Sequence, residues 1–188
     1  MKMEQLKLTA ALLAITAGLT FTLAAGPTLK VGDPAPKLQT GKWVQGDPVK
    51  SFEKGKAYIV EFWATWCPPC RASIPHLNEI YLKYKDKGLV VIGQNVSERD
   101  DSGVAAFVKK MGDKMTYRVA LDDKTSDSNG QMSKTWMEAA GQNGIPTAFL
   151  VDTKGNIAWI GHPMSLKEQV IESVLSGKSP VSGGAEAN

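Results

Sequence analysis

The chain has 188 residues, 43% of them hydrophobic and 22% charged, with a formal net charge of +3. That balance excludes a disordered or collagen-like chain, and two cysteines are too few for a disulfide scaffold. The small charge, with no basic stripe interleaved by aromatics, gives no reason to expect nucleic acid as a partner.

The length suits one domain of ~100–200 residues plus a leader. Residues 1–25 read as a signal peptide. Lys2 and Lys7 form a short basic region, Leu8 to Leu23 is apolar, and Leu23-Ala24-Ala25 supplies small residues for cleavage. An uncleaved membrane anchor is the rival reading, since the run is close to the ~20 residues that span a bilayer. Gly26 stands where a lipoprotein would need cysteine. Either reading places the domain outside the cytoplasm, periplasmic or otherwise extracytoplasmic, where paired cysteines meet disulfide chemistry.

Residues 26–36, rich in Gly and Pro, read as an extended linker, and 37–176 as the domain. Gly46-Asp47-Pro48 is a turn signal and suggests a hairpin over Trp43–Val49. Ala57–Ala64 is nearly continuous in apolar residues and predicts a buried strand. From Pro69 to Asp86, Ile74, Leu77, Ile80, Tyr81 and Tyr84 recur at helical spacing, with Gly88 ending the helix. Leu89–Val96 predicts a second buried strand, Ser102–Met111 a short helix, and Tyr117–Leu121 a weaker strand. Asp122–Gly130 is a polar loop, and Gln131–Ala140 a helix stopped by Gly141. Thr147–Asp152 and Ile157–Gly161 form a hairpin across Thr153-Lys-Gly-Asn156. Ser165 and Glu168 have capping-box spacing for a last helix to Ser176. Residues 177–188 read as a flexible tail. Strands alternating with helices, then a terminal hairpin and helix, give an α/β fold with a mixed sheet.

The chemistry concentrates at Trp66-Cys67-Pro68-Pro69-Cys70, which holds both cysteines of the protein at a strand-to-helix turn. A Cys-x-x-Cys pair there can make and break a disulfide with an incoming protein. A loop of two residues closes little chain entropy, so stapling is a poor reason for the pair.

Glu61-Phe-Trp-Ala-Thr-Trp-Cys-Pro-Pro-Cys70, Pro75 in the helix, and Gly144-Ile-Pro-Thr147 before a strand resemble the thioredoxin superfamily. The leader, Val31-Gly-Asp-Pro-Ala-Pro36 and the long segment before Pro146 resemble its TlpA/ResA branch of exported thiol–disulfide oxidoreductases. The resemblance covers residues 31–176. It implies a thioredoxin-like three-layer α/β fold, a mixed central sheet flanked by helices, with a central insertion between the Cys-x-x-Cys half and the cis-Pro half. It implies no cofactor, protein disulfides as substrates, and a membrane-embedded electron donor. Reduction is the expected direction, cytochrome c maturation is one role of the branch, and a monomer is expected.

On this reading Cys67 is the nucleophile. The unpaired N–H groups and dipole of a helix N-terminus favour its thiolate. Cys70, one turn on, resolves the mixed disulfide. Pro68 and Pro69 shape the turn and remove two N–H donors; their opposing effects give the potential no sign. The resemblance implies a cis Ile145–Pro146 bond, which would expose Ile145 backbone groups to a bound peptide as an added strand. Glu61 is a carboxylate in an apolar strand, so burial should raise its pKa. The resemblance makes it the proton acceptor for Cys70. Trp66 is expected to rim the site and Trp63 to lie in the core, with Trp43, Trp136 and Trp159 as packing.

A peroxiredoxin-like thiol peroxidase shares the fold, but its Pro-x-x-x-Thr-x-x-Cys setting is missing upstream of Cys67. A Cu(I)-binding chaperone would need His76 or His162 beside the thiolates. His76 should point away from the helix start, so no metal site is assigned. Thr125–Gly130 faintly resembles a calcium loop, but Thr125 takes the first ligand position and Trp136 the place of the bidentate Glu. It reads as a solvated loop.

Overall fold

The computed structural model describes residues 27–178. The expected signal peptide (1–25) and all of the expected tail except Gly177 and Lys178 lie outside them. Strand β2 (Ala57–Trp63) is buried at every position, as its apolar run predicts. It pairs in parallel with β3 (Leu89–Asn95) and antiparallel with β5 (Thr147–Val151). Beyond them lie β4 (Arg118–Asp122), β1 (Thr40–Gln45) and β6 (Ile157–Gly161). The order is β1-β4-β3-β2-β5-β6, a mixed six-stranded sheet.

Alternation along β2 divides the core. Ala57, Ile59 and Trp63 face one side, where helix α1 (Pro68–Tyr84) contributes Ile74, Leu77, Ile80 and Tyr84. Helix α2 (Val104–Met111) adds Val104 and Val108 there, and α3 (Glu168–Leu175) adds Ile171 and Val174. Tyr58, Val60 and Phe62 face the other side, against Trp136, Phe149 and Leu29. Trp136 and Phe149 meet edge to face at 5.3 Å, and Phe62 and Phe149 at 5.5 Å. Such pairs contribute about 0.5–1.5 kcal/mol each beyond their area burial.

Helix α1 runs unbroken through Pro75. Gly88 ends the following 3₁₀ turn with φ +94°, a left-handed conformation that glycine adopts without strain.

Four expectations need correction. Trp43–Val49 is not a hairpin. Gly46 does turn, with φ +72°, but β1 pairs antiparallel with β4, 74 to 82 residues further along. Gln45 Nε2 ties that edge down through the Met115 and Tyr117 carbonyls, both at 2.7 Å. The helix of Gln131–Ala140 is a π-helical turn over Ser133–Glu138. Its hydrogen bonds span five residues, as in Ala139 N–H to Lys134 O at 3.3 Å and Gln142 N–H to Met137 O at 2.8 Å. The Ser165–Glu168 capping box does not form. Ser165 ends a 3₁₀ turn, Lys167 stands at the cap of α3, and Glu168 binds Lys83 of α1 instead. The Ser102–Met111 segment opens with a 3₁₀ turn, Asp101–Gly103, and α2 starts at Val104.

The segment read as a linker is stitched to the domain from Thr28 onward. Thr28 and Leu29 donate to Ala139 O, and Ala35 donates to Gly155 O. Gly32 and Asp33 exchange bonds with Ile157, and Leu29 is buried. At the other end, Gly177 and Lys178 donate to carbonyls of the last turn of α3. Among the described residues, no helix is long and apolar enough to cross a membrane.

Candidate active site

The C-terminal edge of β2 delivers Trp63 into the core, and the chain turns through Ala64–Trp66 into α1. Cys67 takes the N-cap position of that helix, with Pro68 and Pro69 as its first residues. Proline is favoured there, because first-turn N–H groups have no intrahelical partner. Two of those donors are thereby removed. The next, Cys70 N–H, points at Cys67 Sγ at 3.2 Å.

Cys67 and Cys70 form a disulfide, with Cα atoms 5.3 Å apart. Cys67 keeps 3% exposure and Cys70 none, so an incoming group can reach only the first sulfur. Cys67 Sγ also lies 3.7 Å from Ile145 O. In the oxidised pair this is a contact without a proton. In the reduced pair that carbonyl would accept from the thiol and oppose its ionisation.

The Ile145–Pro146 bond is cis. The turn containing it is closed by Thr147 Oγ1 donating to Gly144 O at 2.7 Å. Trp66 is 57% exposed, and its indole Nε1 donates to Ser97 O at 3.0 Å. The tryptophan therefore has a fixed edge and a free face. Between it and Ile145 runs a groove of about 540 Å³, with Cys67, Pro68, Val96 and Met137 on its walls. Thus Trp66, Cys67, the two prolines and Ile145 come together around one opening. Pro146 is buried behind it.

Glu61 is fully buried on β2. Ser73 of α1 donates to its Oε1 at 3.0 Å, and Tyr117 to its Oε2 at 3.3 Å. Burial pushes its pKa from the ordinary 4.5 up to about 7, while both hydroxyls pull the other way. Tyr117 is held well above its ordinary value, first by burial and then by Glu61.

Sequence reasoning missed several residues around the site. Ser73 had a signal, since it follows Cys70 by three positions and so shares its helix face. Tyr117, on the segment leading into β4, had none. Glu98 is a second: its Oε1 accepts from Thr65 N–H at 2.6 Å and Asn95 Nδ2 at 3.0 Å, and its Oε2 from Thr65 Oγ1 at 3.0 Å. That carboxylate pins the turn just before Trp66. Ser97 sits at φ +59°, a left-handed conformation that is uncommon outside glycine. It presents the carbonyl that holds the indole.

The two histidines are elsewhere. His162 Nδ1 accepts from Met164 N–H at 3.2 Å in the turn after β6, and His76 lies within α1 with Nε2 buried and unpartnered. Asp123 and Asp127, in the polar loop, accept from Thr125 and Asn129 N–H in local turns.

A family model described as Redoxin matches residues 30–175. The thiol–disulfide oxidoreductase ResA of Bacillus cereus is 34% identical over 170 residues, spanning 86% of this chain and 89% of its own. Protein FixW of Rhizobium leguminosarum is 32% identical, over 83% of this chain and 71% of its own. Among solved structures, a thiol:disulfide interchange protein of the thioredoxin family from Chlorobium tepidum superposes with a TM-score of 0.61. It is 29% identical and covers 76% of this chain and 96% of its own.

Proposed function

This chain belongs to the Redoxin family, as a TlpA/ResA-like member of the thioredoxin superfamily and a thiol–disulfide oxidoreductase, and on that premise we propose that it reduces protein disulfides outside the cytoplasm. Reduced Cys67 attacks a substrate disulfide as thiolate, forming a Cys67–substrate bond and releasing the first substrate sulfur. Cys70 passes its proton to Glu61 and attacks Cys67 Sγ. The Cys67–Cys70 bond forms, the mixed disulfide breaks, and the substrate leaves as a dithiol once its thiolates are protonated. One electron pair has passed from the protein to the substrate. The free face of Trp66 and the backbone of Ile145, fixed by Pro146, hold the substrate segment in the groove. Pro68 and Pro69 shape the turn.

The observation that carries this reading is the difference in access between the two cysteines, with a buried carboxyl joined to the backbone of the inaccessible one through the Ser73 hydroxyl. The direction is supported by the donor count at Cys67. Pro68 and Pro69 leave Cys70 N–H as the first-turn donor to its sulfur, while Ile145 O faces it at 3.7 Å. A thiolate with few donors is less stabilised, which favours the disulfide form and makes the dithiol the stronger reductant. In an oxidising compartment such a protein needs recharging, and a membrane-embedded dithiol donor meets that need. Residues 1–25 serve as the export signal, cysteine pairs awaiting haem in cytochrome c maturation are one fitting substrate, and the protein acts as a monomer.

Cys70→Ser tests the assignment. It should leave a substrate covalently held on Cys67 and releasable by dithiothreitol, and Cys67→Ser should capture nothing. Capture by neither variant refutes the order of attack. The Cys67–Cys70 potential tests the direction: a value near about −270 mV supports a reductase, and one near about −120 mV marks an oxidant.

A further inference from the structure

Three side chains from three segments meet in a closed space beneath the cysteine turn. Glu61 comes from β2, Ser73 from α1 and Tyr117 from the segment before β4, and all three are fully buried. The Ser73 hydroxyl lies within reach of two acceptors, Glu61 Oε1 at 3.0 Å and Cys70 O at 2.9 Å, and has one hydrogen to give. The Tyr117 ring reaches Glu61 across Gly93 of β3, which pairs with Glu61 in the sheet. A Cβ on Gly93 would stand 3.0 Å from Tyr117 Cε2 and 3.0 Å from Trp63 Nε1. That spacing is tighter than ordinary contact, so the Tyr117 ring or the Trp63 indole would have to give by a few tenths of an ångström.

We infer that Ser73 and Tyr117 are positioning residues for the resolving step, holding the Glu61 carboxyl beneath the cysteine turn and governing how readily it takes the Cys70 proton, with Gly93 leaving the space that admits Tyr117. The inference rests on the reading of Glu61 as proton acceptor. Before transfer Glu61 is a carboxylate, and both hydroxyls donate to it. Transfer breaks the Cys70 S–H bond and forms a Glu61 O–H bond. The acid then donates to Ser73 Oγ, whose own hydrogen turns to Cys70 O. Ser73 thereby couples the charge on Glu61 to the backbone of the resolving cysteine. The Cys70 electron pair goes into the new bond with Cys67, and the electron pair of the broken mixed disulfide leaves with the substrate sulfur.

The titratable groups facing Glu61 are few. Helix α1 carries Cys70, whose carbonyl shares the Ser73 hydroxyl with Glu61, and the segment before β4 brings Tyr117, with Tyr81 of α1 edge-on to Tyr117 at 6.4 Å. The sheet neighbours of Glu61 on β3 and β5 are Gly93 and Ala148, which do not titrate. Among the described residues, burial and the two hydroxyls account for the displaced titration of Glu61. Removing either hydroxyl leaves burial less opposed, so the midpoint must rise.

The test is a ¹³C NMR titration of the Glu61 carboxyl in the full-length oxidised protein, where neither cysteine ionises. The wild type should titrate near pH 7. Tyr117→Phe keeps the ring and Ser73→Ala keeps the helix; each should raise the midpoint by about one pH unit. In the reduced protein, the pH profile of mixed-disulfide resolution should move upward by the same amount. Gly93→Ala, which crowds the Tyr117 ring and keeps both hydroxyls, should move the midpoint in the same direction by less than Tyr117→Phe does. A role confined to packing would lower stability and leave the midpoint in place. An unmoved midpoint in both hydroxyl variants overturns the inference, and an unmoved midpoint in one removes that residue from it. Glu61→Gln separates the two levels: an unchanged resolution rate there ends the acceptor reading whatever the midpoints do.

Discussion

Replacing Glu61 by glutamine should stabilise the folded protein above neutral pH while impairing its chemistry. The carboxyl has no exposure and titrates near 7 in the fold, against 4.5 for an ordinary glutamate. Between those values the folded protein keeps a proton that the unfolded chain has released. The folded state then binds more protons, so stability falls as pH rises through this window. Below pH 4.5 both states are protonated and the penalty vanishes; above pH 7 it is complete. At about 1.4 kcal/mol per pH unit, the gap amounts to about 3 kcal/mol. Glutamine has nearly the same shape, can engage both hydroxyls, and does not ionise. Urea unfolding of the oxidised wild type and of Glu61→Gln should therefore give similar stabilities near pH 4.5. By pH 8 the variant should be ahead by about 3 kcal/mol. Using the oxidised protein keeps both thiols out of the titration, and the histidines cancel in the difference. A wild-type-minus-variant difference that stays flat from acid to alkaline pH would refute the reasoning, because it would mean that Glu61 does not carry a buried charge.

Other perturbations follow from the same geometry. Asp122 accepts from Met132 N–H at 2.8 Å and from Ser133 N–H and Oγ at 2.9 and 2.8 Å, holding the start of the π-helical turn. Asp122→Ala should cost about 1–3 kcal/mol in chemical denaturation, the usual penalty for leaving buried donors unpaired. Glu98→Ala frees Thr65 and Asn95 from their shared carboxylate; it should cost about 1.5–3 kcal/mol and slow the first attack by Cys67 in stopped-flow assays. Lys83→Ala removes an ion pair to Glu168 whose partners are 46% and 48% exposed. Its effect on the unfolding midpoint should be small, and salt should diminish it further.

Short-range signals in this chain are those its residues carry individually. The continuous apolar run of Ala57–Trp63 makes a buried strand wherever it sits, and both cysteines lie three positions apart at a strand-to-helix junction. The turn residues of the 153–156 hairpin and the glycine stop at Gly88 are equally local. Those features were enough to read the α/β fold, the redox motif and a strand-borne acid. What needed the tertiary structure is every pairing across distance. Gly46 announces a turn but cannot name its partner strand, because an edge strand pairs wherever an open ladder is offered. Glu168 is spaced for a capping box, yet an ammonium brought in from α1 takes it instead. Asp122 holds the start of the π-helical turn from ten residues away. The environment of Glu61 is the clearest case: its sequence neighbours are apolar, and the hydroxyls that temper its burial come from 12 and 56 residues along the chain. Periodicity and turn chemistry act over a few residues, so a sequence can display them unaided. Desolvation and hydrogen bonding depend on which groups the fold brings within 3 Å or so, and only the packed chain decides that.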